Sequence, residues 1–273
     1  MCIRKTGMAL LLLCATFISE GQSASTLMGA RGKGLGNTSA GLYDEWSLFN
    51  NPAGLASLTK GAFVVAYDKT PNLPGSDRMV AAATFRALKG AVSAGVFRFG
   101  DQRYSEQIAA AGYANQFGLA SLGARVNLVQ YNAEGFGTRS VISFNFGGIA
   151  ELTPQIKVGA HIINLNQPVI SDDNGERLPT KLLAGIVFTP QESLSVAVEV
   201  EKDIEFKATL KAGIEYRAFG KVSFRTGFNL FPGASCIGVG FRSSRIILDY
   251  AMEYSDFMGT SHQVSAGYPF HSK

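Results

Sequence analysis

The sequence predicts an all-β protein: a 14-stranded antiparallel transmembrane β-barrel with an N-terminal segment plugging the lumen. Three observations lead there. Apolar and polar residues alternate with a period of two along most of the chain. The alternating runs are about ten residues long, the length a tilted membrane strand needs. Tight turns join successive runs, which makes antiparallel hairpins rather than parallel crossovers. Composition agrees, with 46% hydrophobic residues, 31 glycines and only 17% charged residues among 273, and a mean hydropathy of +0.11. Past the N-terminus no apolar run reaches the roughly 18 residues of a membrane helix, so the hydrophobicity comes in strand-sized pieces.

The chain opens on a secretory leader. Arg4 and Lys5 form its positive region, Met8 to Ile18 its apolar core, and Ser19 and Gly21 place small residues before a cleavage expected ahead of Gln22, with Ala24 as second choice. A lipoprotein reading around Cys14 fits less well, because Leu13 directly precedes the cysteine. The expected divisions are therefore a leader at 1–21, a luminal segment at 22–58 and a barrel at 59–273. Cys2 and Cys14 depart with the leader, which leaves Cys236 alone and excludes an intramolecular disulfide. The formal net charge is +4, and loss of Arg4, Lys5 and Glu20 lowers it by one. No basic stripe marks a nucleic-acid surface, so no nucleic acid is expected as a partner.

Strands are expected near 60–67, 78–88, 91–99, 105–115, 119–131, 138–149, 156–164, 180–189, 193–201, 206–217, 221–230, 235–243, 245–254 and 261–270. The clearest is 206–217, where Phe206, Ala208, Leu210, Ala212, Ile214 and Tyr216 oppose Lys207, Thr209, Lys211, Gly213, Glu215 and Arg217. Alanine and glycine blur the alternation over 78–97 and 105–115. The period alone also fits a soluble sandwich with its apolar face inward. Strand length, the even count and aromatics near strand ends (Phe206, Tyr216, Tyr250, Tyr254, Tyr268 and Phe270) favour a barrel with that face toward lipid. Of the connections expected at the outer end, only Asn164–Pro179 exceeds about a dozen residues, so little superstructure stands above the barrel.

Residues 25–58 precede the first strand and must hang free or fold inside. Gly29, Gly32, Gly34 and Gly36 permit tight turns. Ser39 to Phe49 reads as a short helix carrying Leu42, Tyr43, Trp46 and Phe49, which Pro52 ends because Asn51 before it is pushed out of helical geometry. Gly29-Ala30-Arg31-Gly32, Gly34-Leu35-Gly36 and the run from Trp46 through Asn50, Asn51, Pro52 and Ala53 to Ala56 resemble the N-terminal signature of the PorV/PorQ family, within the wider FadL-like group of outer-membrane barrels. That resemblance covers residues 29–56. It implies fourteen strands, an N-terminal segment fixed inside the lumen by Asn51, Pro52 and Ala53, and a place in the outer membrane of a Gram-negative bacterium of the Bacteroidota. It also implies outer-membrane lipid and the type IX translocon or its secreted cargo as partners. The chain departs from the family's cargo shuttles in its length and its short outer loops.

Enzyme motifs are missing from the sequence. Arg31 to Gly36 lacks the Gly-Lys-Ser/Thr ending of a phosphate loop. His161, His262 and His271 have no ligand spacing for a metal, and no Gly-x-Ser-x-Gly elbow occurs. Asp172 to Glu176 reads as a polar turn rather than a calcium loop. A non-enzyme without cofactor or metal is expected. Glu199, Glu201, Lys207, Lys211, Glu215, Arg217, Arg225, Asp249 and Glu253 fall on the polar faces of neighbouring strands, where they either pair and lock the N-terminal segment to the wall or line a polar conduit. Two functions follow. One is a barrel acting through protein partners in type IX secretion or surface attachment. The alternative is a FadL-like transporter of small hydrophobic compounds across the outer membrane, with an apolar pocket under the outer loops and a wall opening near Phe231-Pro232-Gly233.

Overall fold

The computed structural model describes residues 25–135, 137–170, 175–204 and 206–270. The leader with its cleavage site, Asp172 to Asn174 and His271 lie outside them. Fourteen strands follow in order: β1 (Gly61–Lys69), β2 (Arg78–Ala87), β3 (Gly90–Gly100), β4 (Tyr104–Phe117), β5 (Ala120–Ala133), β6 (Gly137–Thr153), β7 (Ile156–Ile163), β8 (Lys181–Gln191), β9 (Leu194–Asp203), β10 (Thr209–Ala218), β11 (Val222–Asn229), β12 (Ala234–Arg242), β13 (Ile247–Ser255) and β14 (Gly259–Phe270). Each pairs antiparallel with its sequence neighbours, and β14 closes on β1 from Gly61↔Phe270 to Lys69↔His262. Closure leaves no sheet edge, which rules out the sandwich and satisfies the backbone where water is absent.

Burial follows the alternation with the polarity of a membrane barrel. On β10, Leu210, Ile214 and Tyr216 are exposed while Lys211 and Glu215 are buried; on β5, Leu122, Val126 and Leu128 are exposed while Arg125 and Asn127 are buried. The apolar face therefore points outward, as lipid requires. The turns at the end that carries both barrel termini are short. At Leu88 and Lys89 both φ angles are positive, 54° and 62°, the two-residue hairpin geometry that matches strand twist. This end is the periplasmic one by the usual asymmetry of such barrels.

Three local expectations are corrected. Lys207 lies ahead of β10, which starts at Thr209, and is exposed rather than luminal. Tyr250 stands within β13, where its hydroxyl meets His262 Nδ1 at 2.8 Å, and not at a strand end. The stretch Phe231–Gly233 is a closed turn, because Asn229 pairs directly with Ala234 and the Leu230 N–H donates to the Leu210 carbonyl at 2.9 Å.

The wall is interrupted elsewhere. β7 reaches only to Ile163, and its topmost pairing with β6 is Phe146↔Ile162, so residues 137–145 of β6 have a strand partner on the β5 side alone. Loop residues fill the notch: Leu165 N–H donates to the Phe144 carbonyl at 2.8 Å, and Asn166 accepts from Phe144 N–H at 3.1 Å and donates to the Ile142 carbonyl at 2.9 Å. On either side of the same loop, Val169 is bridged to Arg177. Ile142 and Phe144 are exposed, so the notch lies in the outer part of the apolar belt.

Residues 25–58 run inside the barrel against its inward faces. Contrary to expectation, 39–49 forms successive turns rather than a helix, and the glycine-rich run carries the one α-helix among the described residues, α1 (Ala30–Gly34). Pro52 starts a helical turn instead of ending one. It is the first residue of a 3-10 turn, Pro52–Ser57, with Asn51 as its N-cap and the Asn51 side chain accepting from Ala53 N–H at 3.1 Å. Proline suits that position because its missing N–H is one the helix leaves unpaired anyway, and asparagine is a favoured cap.

Candidate functional site

The lumen is the candidate site, and its two sides differ in chemistry. The side built by β9 to β14 is charged. Glu215 accepts from Arg31 Nε and from Arg225 Nε, each at 2.8 Å; Arg31 also reaches Asp44 at 3.3 Å, and Arg225 reaches Asp249 at 2.6 Å. Arg217, more exposed, joins Glu215 at 3.4 Å. Glu199 accepts the backbone N–H groups of Ser39 and Ala40 at 2.7 and 2.6 Å, and Lys211 bridges Glu199, Glu201 and the Asn37 carbonyl. Glu253 accepts from the Asn37 side chain at 2.9 Å. Eight of the nine charges expected in the lumen are thus paired there, and four of them, Glu199, Lys211, Glu215 and Glu253, bond the segment directly between Arg31 and Ala40.

Sequence reasoning missed half of this network. Lys33 is bound to Asp68 at 2.9 Å, and Arg78 joins the same carboxylate; Arg242 holds Glu45 through two hydrogen bonds of 2.7 and 3.0 Å. Asp68 and Arg78 sit at strand ends, where the alternation gives no reading of which way they face. Burial pushes the Asp44 carboxyl above the usual carboxylate range against the pull of Arg31. Burial acts on Glu45 in the same direction, but its bonds to Arg242 hold it below that range. Leu42 to Glu45, with Lys157, Arg217 and Arg242, line a vestibule of about 460 Å³ at the periplasmic end.

The other side is apolar. Val64, Val80, Phe97, Ile108 and Val129 point inward from β1 to β5 and pack on Trp46, Leu48, Phe49 and Leu55 of the luminal segment. Leu178 and Ile170 of the long loop extend the cluster at the outer end, and Leu58 at the periplasmic end. Phe49 lies 6.3 Å from the Phe97 ring and takes the Arg125 guanidinium over its face at 5.5 Å. An apolar column therefore spans the lumen beside the charged network, filled by the segment's own side chains.

The wall is shaped for that segment. A Cβ on Gly147 would fall 1.9 Å from Asn51 Oδ1, one on Gly159 1.9 Å from the Ala40 carbonyl, and one on Gly213 2.5 Å from the Leu35 carbonyl. On the segment's side, a Cβ on Gly36 would fall 2.5 Å from the Phe228 carbonyl, and one on Gly34 3.2 Å from the Gly238 Cα. Gly29 has φ 102° and lies under the Trp46 indole, where no side chain fits. Asn50 ties the segment into a loop, accepting from Met28 N–H at 3.1 Å and donating to its carbonyl at 3.0 Å. The motif Asn51-Pro52-Ala53 fixes it to the wall: Asn51 is fully buried, and its side-chain amide donates to the carbonyls of Ala40, Gly148 and Ala160 at 2.6, 3.4 and 3.2 Å. Asn51→Ala removes the cap and leaves buried carbonyls short of donors, a loss of roughly 2–3 kcal/mol. The expected result is a lower midpoint for cooperative unfolding of the detergent-purified protein. An unchanged midpoint would show the amide to be dispensable.

These features define a closed, fourteen-stranded antiparallel β-barrel with an apolar outer face and a lumen filled by its own N-terminal strap. No family model matches the sequence, and no curated protein matches it. Among solved structures, the toluene transporter TodX of P. putida superposes with a TM-score of 0.72 at 13% identity, covering 92% of this chain and 100% of that one. The Ralstonia pickettii toluene transporter TbuX gives 0.68 at 14% identity, covering 90% and 99%, and the CymD monoaromatic hydrocarbon channel 0.67 at 14%, covering 91% and 99%. At such identities the likeness establishes the fold alone. These neighbours are channels and transporters rather than enzymes, and the barrel resembles Gram-negative outer-membrane proteins.

Proposed function

We propose that the protein is a passive transporter that admits small hydrophobic compounds across the outer membrane. The apolar column beside the charged network carries this reading. A polar solute gains nothing from a lining of Val64, Val80, Phe97, Ile108 and Val129, whereas each buried CH₂ of a hydrophobic solute contributes about 0.8 kcal/mol. The charged side fixes the segment at Arg31 to Ala40 and Asn51 fixes it again, so displacement of Trp46 to Phe49 between these anchors would open the column without releasing the whole strap. Val141 packs on the same cluster and stands beside the notch above β7, which gives the column an outlet toward lipid that Leu165 and Asn166 close. The fold shared with toluene and monoaromatic hydrocarbon channels points to solutes of that size.

The test is uptake of radiolabelled toluene by Gram-negative cells expressing the protein, compared with cells lacking it. Expression should raise the initial rate several-fold, and Val129→Asp, which places a carboxylate in the column, should return it to background while the barrel still shows heat-modifiable migration. Equal rates with and without the protein would overturn the proposal. The signature at 29–56 and the closed lumen also suit a barrel that acts through type IX partners. Recovery of the translocon or secreted cargo with the tagged protein, together with no uptake, would favour that second reading.

A further inference from the structure

We infer that Arg125 anchors a buried binding site for a monatomic anion of the chloride class, on the β5 to β6 wall behind the luminal segment. Arg125 is 2% exposed, and its one hydrogen bond among the described residues runs from Nη1 to the Leu48 carbonyl at 2.9 Å. No carboxylate of the described residues lies within ion-pair distance of it, unlike the other buried cations of the lumen, Lys33, Lys211 and Arg225, which each hold one. A carbonyl and the face of Phe49 orient a guanidinium but do not neutralise it. Burial of an uncompensated charge is strongly unfavourable, so the site calls for a counterion.

The surroundings are built to receive one. Arg125 pairs across the ladder with Asn145, and Asn127 with Ser143, so all four side chains share one inward patch. Asn127 donates to Ser143 Oγ at 3.0 Å and to Asn145 Oδ1 at 3.4 Å, Ser143 donates to Asn164 Oδ1 at 2.9 Å, and the Asn164 N–H donates to Asn145 Oδ1 at 3.1 Å. These bonds fix both amides so that Arg125 Nε and Asn145 Nδ2, two donors, remain without a protein acceptor, together with Asn127 Oδ1. His161 stands one row lower, opposite Gly147, with both ring nitrogens likewise unpartnered.

Arg125, Asn127, Ser143 and Asn164 line a cavity of about 40 Å³, whose walls also include Glu106, Lys181 and Glu201. That volume takes one monatomic ion with about one or two waters, given roughly 10–15 Å³ for each water-sized centre. It is too small for an organic anion. The carboxylates at its outer end are engaged: Glu201 is paired with Lys181 and Lys211, and Glu106 has an interaction of its own. In this arrangement the ion accepts from the Arg125 guanidinium, and a water sharing the cavity donates to Asn127 Oδ1. The ion neutralises the one side chain of β5 that grips Leu48 and Phe49, so it stabilises the seated strap.

The experiment is thermal unfolding of the mature protein in detergent, with sodium chloride exchanged for sodium gluconate at constant ionic strength. Wild type should show a saturable rise of about 2–4 °C with chloride, and bromide should substitute. Arg125→Met should lose the dependence, while Arg98→Met, on the outward face of β3, should keep it. Crystals soaked in bromide should give an anomalous peak beside Arg125 Nε, which tests the site without any substitution. Identical midpoints in chloride and gluconate, a dependence that survives in Arg125→Met, or water alone at the site would each overturn the inference.

Discussion

Glu215→Ala is expected to convert a nearly silent barrel into one that passes ions in planar bilayers. Glu215 is 3% exposed and accepts from two guanidiniums of opposite origin, Arg31 on the luminal segment and Arg225 on the wall. Removing it juxtaposes two buried cations that had shared a carboxylate. Breaking such a pair costs about 3–5 kcal/mol, and the lower end applies because Asp44 and Asp249 still neutralise one guanidinium each. About 3 kcal/mol is roughly a hundredfold change in the seated population of the segment. The wall itself depends on the closed ladder of fourteen strands, so assembly should survive, checked by heat-modifiable migration. Glu215→Gln keeps hydrogen-bond acceptance at one oxygen and should give intermediate activity. Currents no larger than wild type in both variants would show that the charged network does not hold the lumen shut, and a large conductance in wild type would show that the segment does not close it.

The barrel was legible because lipid reverses the usual burial rule without altering its period. Leu210, Ile214 and Tyr216 against Lys211 and Glu215 mark a strand and its two faces whichever way the sheet curls, and strand length then selects the membrane. All fourteen strands fall within a few residues of their expected positions. The luminal segment was harder. It is short, irregular and held by contacts that reach as far as 235 positions along the chain, so local pattern carries little of its geometry. Pro52 illustrates this, since the same residue can stop a helix or begin one, and only the Asn51 cap, seen with Ala53 N–H in place, decides. The pairings of Lys33 with Asp68 and of Glu45 with Arg242 depend on how the strap threads the lumen, and nothing in the spacing of these residues announces it. Arg125 was visible on the polar face of its strand. Its lack of a partner was not, because an unpaired charge is defined by everything around it.

The glycines on the inward faces were also visible in the sequence, but their purpose emerges only with the strap in place, and this makes a second strong effect predictable. Gly159→Val would put a Cβ 1.9 Å from the Ala40 carbonyl and 2.8 Å from the Gly41 Cα. Both are backbone atoms of the segment and cannot rotate away. Valine is favoured in strands, so β7 loses nothing by the change, and the strain falls wholly on the strap. The expected outcome is a correctly assembled barrel whose segment is displaced where it crosses β7. Lys33, 3% exposed in the seated form, should then be cut by trypsin at a rate at least tenfold above wild type. Gly148→Val provides the control. Its neighbour Gly147 faces the lumen, whereas a Cβ on Gly148 meets only Leu122 Cδ2 at 3.5 Å and the Ser121 carbonyl at 3.9 Å, ordinary contacts within the wall. It should leave cleavage unchanged. If Gly159→Val resisted trypsin as wild type does, the strap would have to accommodate a side chain where its own backbone now lies, and the close fit between glycine and strap would not be what holds it in place.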